Sequence, residues 1–266
     1  MTKTVAILGT GMAGLLAGKA VLELGMQPVL YDRDYSKKPL KGLHYMHDNC
    51  GMELPVLYIN NYIVADDSRP DLTVGERYCL KVFGEINETA KNNSIMTLPP
   101  SEEVYCMHTA YNQLYDMMYQ HFHYEPVDFD TQTVWDLTDE FDAVVSTIPL
   151  NIVFPHMACK SEQVYCSQNF PQSLVNSELS QNCVVYNINE NESWYRASRV
   201  AGTSWTEFVG KPEEVPCFPI NKLITEGVDV EYVFQETGII LGGRYGTWNR
   251  KELAHDVYYR VLEFLG

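Results

Sequence analysis

Residues 4–32, TVAILGTGMAGLLAGKAVLELGMQPVLYD, constrain this chain more than any other stretch. Val5 to Leu8 form an apolar run suited to a buried parallel strand. Gly9, Gly11 and Gly14 follow as G-x-G-x-x-G. The first glycine permits a tight turn, and the second lets backbone come close to a pyrophosphate, with Met12 and Ala13 opening a helix beside it. The third lets that helix pack on the strand. Leu15, Ala20, Leu22 and Leu24 continue the helix, and Gly25 stops it. PVLYD is a second strand ending in Asp32, 23 residues beyond Gly9 and followed by Arg33. An acid at that distance is placed for a ribose hydroxyl. Strand, turn, helix, strand and acid together predict a dinucleotide cradle. Asp32 disfavours a 2′-phosphate, which selects FAD or NAD over NADP.

The chain of 266 residues is long enough for one large domain or two interleaved ones, and 45% hydrophobic content supports a packed core. A formal net charge of −16 leaves no basic excess to displace counterions from a nucleic-acid backbone. The local exception is RDYSKKPLKGLHYMH, with Arg33, Lys37, Lys38 and Lys41. Seven cysteines, an odd number without paired spacing, suit reduced thiols rather than a disulfide framework. His156, Cys159 and Cys166 lie close together but match no zinc spacing, so no metal is expected. The apolar amino end lacks a basic leader, and no run approaches the length of a membrane span. A cytoplasmic protein is expected.

Further along, FDAVVSTIPL reads as a buried strand ended by Pro149. MHTAYNQLYDMMYQHF carries Met107, Tyr111, Leu114, Met117, Met118 and Phe122 at helical spacing, as a core stripe does. YEPVDF and TQTVWDL read as short strands. GIILGGRYGTWNRKELAHD, residues 238–256, repeats the logic of the amino end: a strand, Gly242 and Gly243, then Trp248 to Asp256 leading into a helix. A helix amino terminus presents unpaired N–H groups and partial positive charge. Over a flavin ring it would stabilise the anionic reduced form. One ligand then accounts for glycine turns at both ends of the chain.

GTGMAG…YD, GLHYMHDN, AVVSTIPL and GIILGGRYGTWNRKELAHD resemble, in order, segments of the flavoproteins grouped around UDP-galactopyranose mutases, protoporphyrinogen oxidases and amine oxidases. The resemblance implies FAD as cofactor. Gly9, Gly11 and Gly14 would meet its pyrophosphate, Asp32 its adenosine ribose, and Gly243 with Arg244 its flavin side. His44 and His47 stand at the histidine places of the mutase segment that passes near the flavin. The chain departs from the group in carrying Asp where Glu is commoner, and KPLKGLH where a double glycine is expected.

The expected fold class is α/β. A Rossmann-like FAD-binding domain is built from residues 1–50, roughly 100–150 and 236–266. An inserted, mainly antiparallel substrate cap comprises 51–99 and 151–235. RYCLKVFGEI, CVVYNI and SWYRASRVAGTSWTEFVG alternate as cap strands. Within WYRASR, alternation puts Tyr195 and Arg199 on one face, where a guanidinium would suit a carboxylate or phosphate. Surface ion pairs explain these arginines equally well, and structural roles explain His44 and His47 equally well. Tyr45, Trp205 and Trp248 are either aromatic pocket walls or core.

Three functions fit. The first is an FAD-dependent oxidoreductase taking hydride from a small polar substrate, an amine or amino-acid group. Its variant acts on an amino-acid adduct of a modified nucleobase, as compact phage flavoproteins do, against which the acidic charge counts. The second is a non-redox mutase-like flavoenzyme working on a nucleotide sugar. The third is a dinucleotide-binding protein without catalysis.

Overall fold

The computed structural model describes residues 2–38, 40–42, 45–66, 68–86, 100–123, 125–175, 177–224 and 227–266. Its first sheet is parallel throughout. Strand β1 (Thr4–Leu8) pairs with β2 (Gln27–Tyr31) on one side and β6 (Ala143–Ser146) on the other, and β12 (Ile239–Leu241) pairs with β6. Successive side chains of β1 serve opposite layers. Val5 and Ile7 pack with helices α1 (Met12–Glu23), α3 (Met107–Met118) and α8 (Asp256–Leu265), whereas Ala6 and Leu8 pack with α4 (Thr131–Glu140), α5 (Leu150–Val153) and α6 (Val230–Thr237). Helices thus cover both faces, as a parallel sheet requires.

The second sheet has eight strands, in the order β11 (Phe218–Leu223), β7 (Ser161–Ser167), β10 (Thr203–Phe208), β9 (Trp194–Val200), β8 (Cys183–Asn187), β4 (Val56–Val64), β5 (Ser101–Cys106) and β3 (Tyr45–Met46). Every pair is antiparallel except β4 with β8. One face packs under α2 (Val74–Phe83) through Ile59, Tyr78, Val82, Val184 and Tyr195, and the other buries Leu174, Val185, Trp194, Ala197 and Phe208. Helix α7 (Gly243–Gly246) is a single turn after β12.

Three local expectations are corrected. TQTVWDL is not a strand but most of α4. Asp130 caps it, accepting from the Thr133 N–H at 2.8 Å, and Val134 and Leu137, one turn apart, are its buried residues. Residues 125–129 form no strand. RYCLKVFGEI is largely helical, because Thr73 and Glu76 form a reciprocal capping box ahead of it and Gly84 ends α2 in a left-handed conformation. Local capping there outweighs the apolar alternation that suggests a strand. Helix α3 does bury Tyr111, Leu114 and Met118 as its spacing predicts, but Met117 is exposed.

Candidate functional site

The first glycine turn has the geometry its spacing demands. Gly9 adopts φ +100°, and a Cβ on Gly14 would lie 1.8 Å from the Gly9 carbonyl oxygen, so helix and turn are in direct backbone contact. Gly11 has φ −70° and open space where its Cβ would be. No side chain caps α1 and no acid occupies its first turn, leaving the N–H groups of Gly11, Met12 and Ala13 at an unneutralised helix start. Thr147, just beyond β6, closes the floor: its hydroxyl donates to Leu8 O at 2.7 Å.

Asp32 reaches back to this turn. One carboxylate oxygen accepts from the Thr10 N–H at 2.7 Å and the Thr10 hydroxyl at 2.6 Å, and the other accepts from Lys38 Nζ at 3.3 Å. Burial pushes the Asp32 carboxyl up, but the Thr10 bonds, assisted by Asp34 and Lys38, outweigh it and hold the group below its ordinary range. The carboxylate is therefore ionised and oriented at neutral pH. Arg33 points outward, 4.0 Å from Asp128 at the surface.

The second glycine turn lands on the first. Gly243 has φ +71°, and a Cβ there would sit 2.7 Å from Ala13 Cβ at the start of α1. Gly246 presses as closely on Ser146 O at the end of β6. The two turns thus form one surface at the carboxyl ends of the parallel strands, where open α/β sheets take their ligands. The helix that follows the double glycine is only α7, and α8 begins at Asp256. Trp248 is 6% exposed and its indole donates to Lys160 O at 3.1 Å, so its side chain belongs to the core.

Facing this surface, the second sheet presents a polar patch that the sequence does not advertise. Glu207 on β10 is 3% exposed and accepts from both the Tyr195 hydroxyl and the Arg196 guanidinium, the Nε bond being 3.1 Å. A Cβ on Gly42 would lie 3.4 Å from the same carboxylate. Burial raises the Glu207 pKa, but Arg196 first and Lys222 next outweigh it, keeping the carboxyl below its ordinary range. Lys222 on β11 donates to Tyr78 Oη at 3.0 Å. The Arg244 side chain remains exposed at the patch's edge, its guanidinium making no hydrogen bond or ion pair to a described residue, while its carbonyl accepts from the Asn249 N–H at 3.1 Å. Burial and then Arg196 lower its pKa, as expected of a cation standing in a recess rather than on a convex surface. Tyr45 completes the rim: its hydroxyl donates to Glu102 at 3.1 Å, and Glu102 also lies 3.4 Å from His47 Nδ1.

Tyr195 and Arg199 do not share a face. Glu207 pairs with Arg196 and Phe208 with Trp194, so Tyr195 is the extra residue of a β-bulge. The bulge turns Tyr195 to the side of Arg196, while Arg199 lies on the opposite face with its guanidinium 4.3 Å over Phe170. His44 lies outside the described residues, and Trp205 is buried. Lys222 and Glu207 are the members that sequence reasoning missed. The only hint for Glu207 is an acid in the inward register of TSWTEF. A surface recess of about 410 Å³ lined by Arg69, Lys81, Glu190 and Glu192 includes no residue of either glycine turn.

No protein-family model matches the sequence, and no curated protein matches it. Solved structures do match in shape. A reduced UDP-galactopyranose mutase superposes with TM-score 0.60 at 11% identity, over 99% of this chain and 93% of the mutase. MibH, a lathipeptide tryptophan 5-halogenase, gives 0.56 at 11%, over 98% of this chain and 66% of its own. Tar14, a tryptophan C-6 flavin-dependent halogenase, gives 0.56 at 10%, over 100% and 72%. The likeness establishes the fold, a Rossmann-like sheet joined to a mainly antiparallel one, which is the architecture of the flavoproteins that the sequence resembles. Among the described residues no helix is long and apolar enough to cross a membrane.

Proposed function

We propose that this chain is an FAD-dependent oxidoreductase that oxidises a small polar substrate, an amine or amino-acid group, in the cleft between its two sheets. The contact of Gly243 with Ala13 carries the reading, because it brings both glycine turns to one extended ligand. The residues fit that cofactor: open space at Gly11, an uncapped α1 and an ionised Asp32 match a pyrophosphate and a ribose. The name of the flavin-dependent halogenase agrees with flavin chemistry on this fold. The flavin half is taken from residues 1–50, roughly 100–150 and 236–266, and the cap from 51–99 and 151–235, with β3 and β5 hydrogen-bonded into the cap's sheet.

When bound, FAD supplies the hydride acceptor. The chain's own residues bind and tune. Arg244, Arg196 and Lys222 stand against the single carboxylate of Glu207, which Arg196 and Tyr195 already engage. Such a patch attracts a substrate carboxylate and disfavours a substrate ammonium. An amino acid held there is pushed toward its neutral amine, whose lone pair assists loss of hydride from the adjacent carbon.

An absorption spectrum of purified protein, with identification of any heat-released chromophore and titration by amino acids without oxygen, tests this. FAD that bleaches with an amino acid supports the proposal, and protein that takes up no FAD refutes it. A second reading, a non-redox flavoenzyme acting on a nucleotide sugar, the substrate class in the mutase's name, draws on the same cations. Activity that needs a reductant but yields no oxidised product would favour it. FAD that no donor reduces would favour a non-catalytic role.

A further inference from the structure

Lys222 stands where an amine becomes a nucleophile. The neighbouring Asn221 carbonyl accepts from Tyr245 Oη at 2.9 Å, which ties β11 to the second glycine turn. Nζ lies 4.3 Å from the Tyr195 ring centroid, 5.1 Å from Tyr78 and 5.2 Å from Phe83, so three aromatic rings surround it. Its hydrogen-bond partner is the neutral phenol of Tyr78. No carboxylate lies within ion-pair distance among the described residues, since Glu207 is held by Arg196 and Tyr195. The charged groups facing it are Arg196 and Glu207 from β9 and β10, with Arg244 and Arg250 from the chain beyond β12. Cys79 on α2 also faces it, its thiol pushed up by burial. Burial first, and Arg196 next, bring the Lys222 ammonium down to about 7 against the pull of Glu207. A desolvated lysine beside other cations keeps a reactive free amine at neutral pH.

We propose that Lys222 forms an imine with the carbonyl carbon of an α-oxo acid whose carboxylate is held by Arg244. The Nζ lone pair attacks the carbonyl carbon, and the C–O π pair moves to oxygen, which takes up a proton as nitrogen gives one up. The resulting hydroxyl takes nitrogen's second proton, relayed through solvent, and leaves as water while nitrogen's lone pair closes the C=N bond. One carbonyl and one amine become one imine and one water, with no change of oxidation state. An α-oxo acid is the class that hydrolysis of an oxidised amino acid supplies. The choice of ligand rests on the function proposed above, whereas the reactivity of Lys222 does not need the flavin.

Full-length protein incubated with pyruvate and cyanoborohydride at pH 7, then digested and mapped by mass, tests the proposal. The expected result is carboxyethylation concentrated on Lys222, with labelling about tenfold slower in Arg244→Gln and about tenfold slower, as isopropylation, with acetone in place of pyruvate. Lys222→Met, which removes the nucleophile without burying a charge, should lose that label with no fall in thermal midpoint. Label spread over exposed Lys37, Lys211 and Lys251 with Lys222 unmodified overturns the proposal. Equal labelling by acetone overturns the carboxylate role of Arg244. The flavin absorbance of the same sample reports separately: unlabelled Lys222 with FAD bound refutes the imine alone. Labelled Lys222 in protein that takes up no FAD refutes the flavin reading alone.

Discussion

Tyr195 and Arg196 are neighbours in the chain, yet both reach the carboxylate of Glu207. Adjacent strand residues ordinarily point to opposite faces, and the bulge at Tyr195 cancels that rule at one place. Removing the charge should leave Arg196 as an uncompensated cation. Glu207→Gln is expected to cost about 3 kcal/mol, read as a lower urea midpoint at pH 7. A loss under about 1 kcal/mol would mean that Arg196 does not depend on Glu207.

The glycines of the first turn should separate stability from binding. Gly14→Ala forces a methyl group into the Gly9 carbonyl, and overpacking of this kind is expected to lower the melting temperature by roughly 5–10 °C. Gly11→Ala meets no described atom within 4 Å and keeps an ordinary φ, so the cofactor-free fold should melt unchanged while flavin content falls. Equal melting losses in the two variants would contradict the geometry. Full flavin retention in Gly11→Ala would remove the pyrophosphate from that turn.

Arg199 and Arg244 should behave oppositely. Arg199→Ala removes a guanidinium from Phe170 on the far face and should leave ligand affinity unaltered. Arg244→Ala should weaken binding of an anionic substrate by about tenfold or more, with little effect on melting, because that side chain is exposed. Titration calorimetry with a carboxylate ligand on both variants decides it. Weaker binding in Arg199→Ala alone would reverse the assignment.

Lys222 gives the pH dependence a direction. Its folded pKa is lowered to about 7 from an ordinary 10.5, so burying the charged form costs stability below pH 7. That cost fades as pH rises from about 7 toward 10.5, because the unfolded chain there binds the proton and the folded chain does not. Lys222→Met should therefore gain more stability at pH 6.5 than at pH 9. Denaturation curves at both values measure it, and a pH-independent gain would place the folded pKa near its ordinary value.

The first sheet was legible because its determinants are local. A strand, three glycines at fixed spacing and an acid 23 residues on describe β1, α1 and β2 without reference to anything distant. The place of the second glycine turn was legible for the same reason. Its landing on Ala13 was not, since contact between residues 13 and 243 is a property of sheet order. The polar patch escaped the sequence because a single bulge residue changes which side of β9 faces inward. Alternation without it selects Arg199 where the fold presents Arg196. TQTVWDL and RYCLKVFGEI failed differently, their caps at Asp130 and at Thr73 with Glu76 lying just outside the windows read for alternation.

The meeting of Gly243 with Ala13 also sets a clock. At roughly 5–20 residues per second of translation, the interval between synthesis of the two turns is on the order of ten to fifty seconds. Throughout that interval α1 can form against β1 and β2, but its exposed start has no second wall and β6 no outer neighbour. Capture of a ligand spanning both turns must therefore come after β12 emerges from the ribosome. Under the proposed function, the supply of that ligand bears on the stages after β12 emerges and leaves the earlier ones untouched.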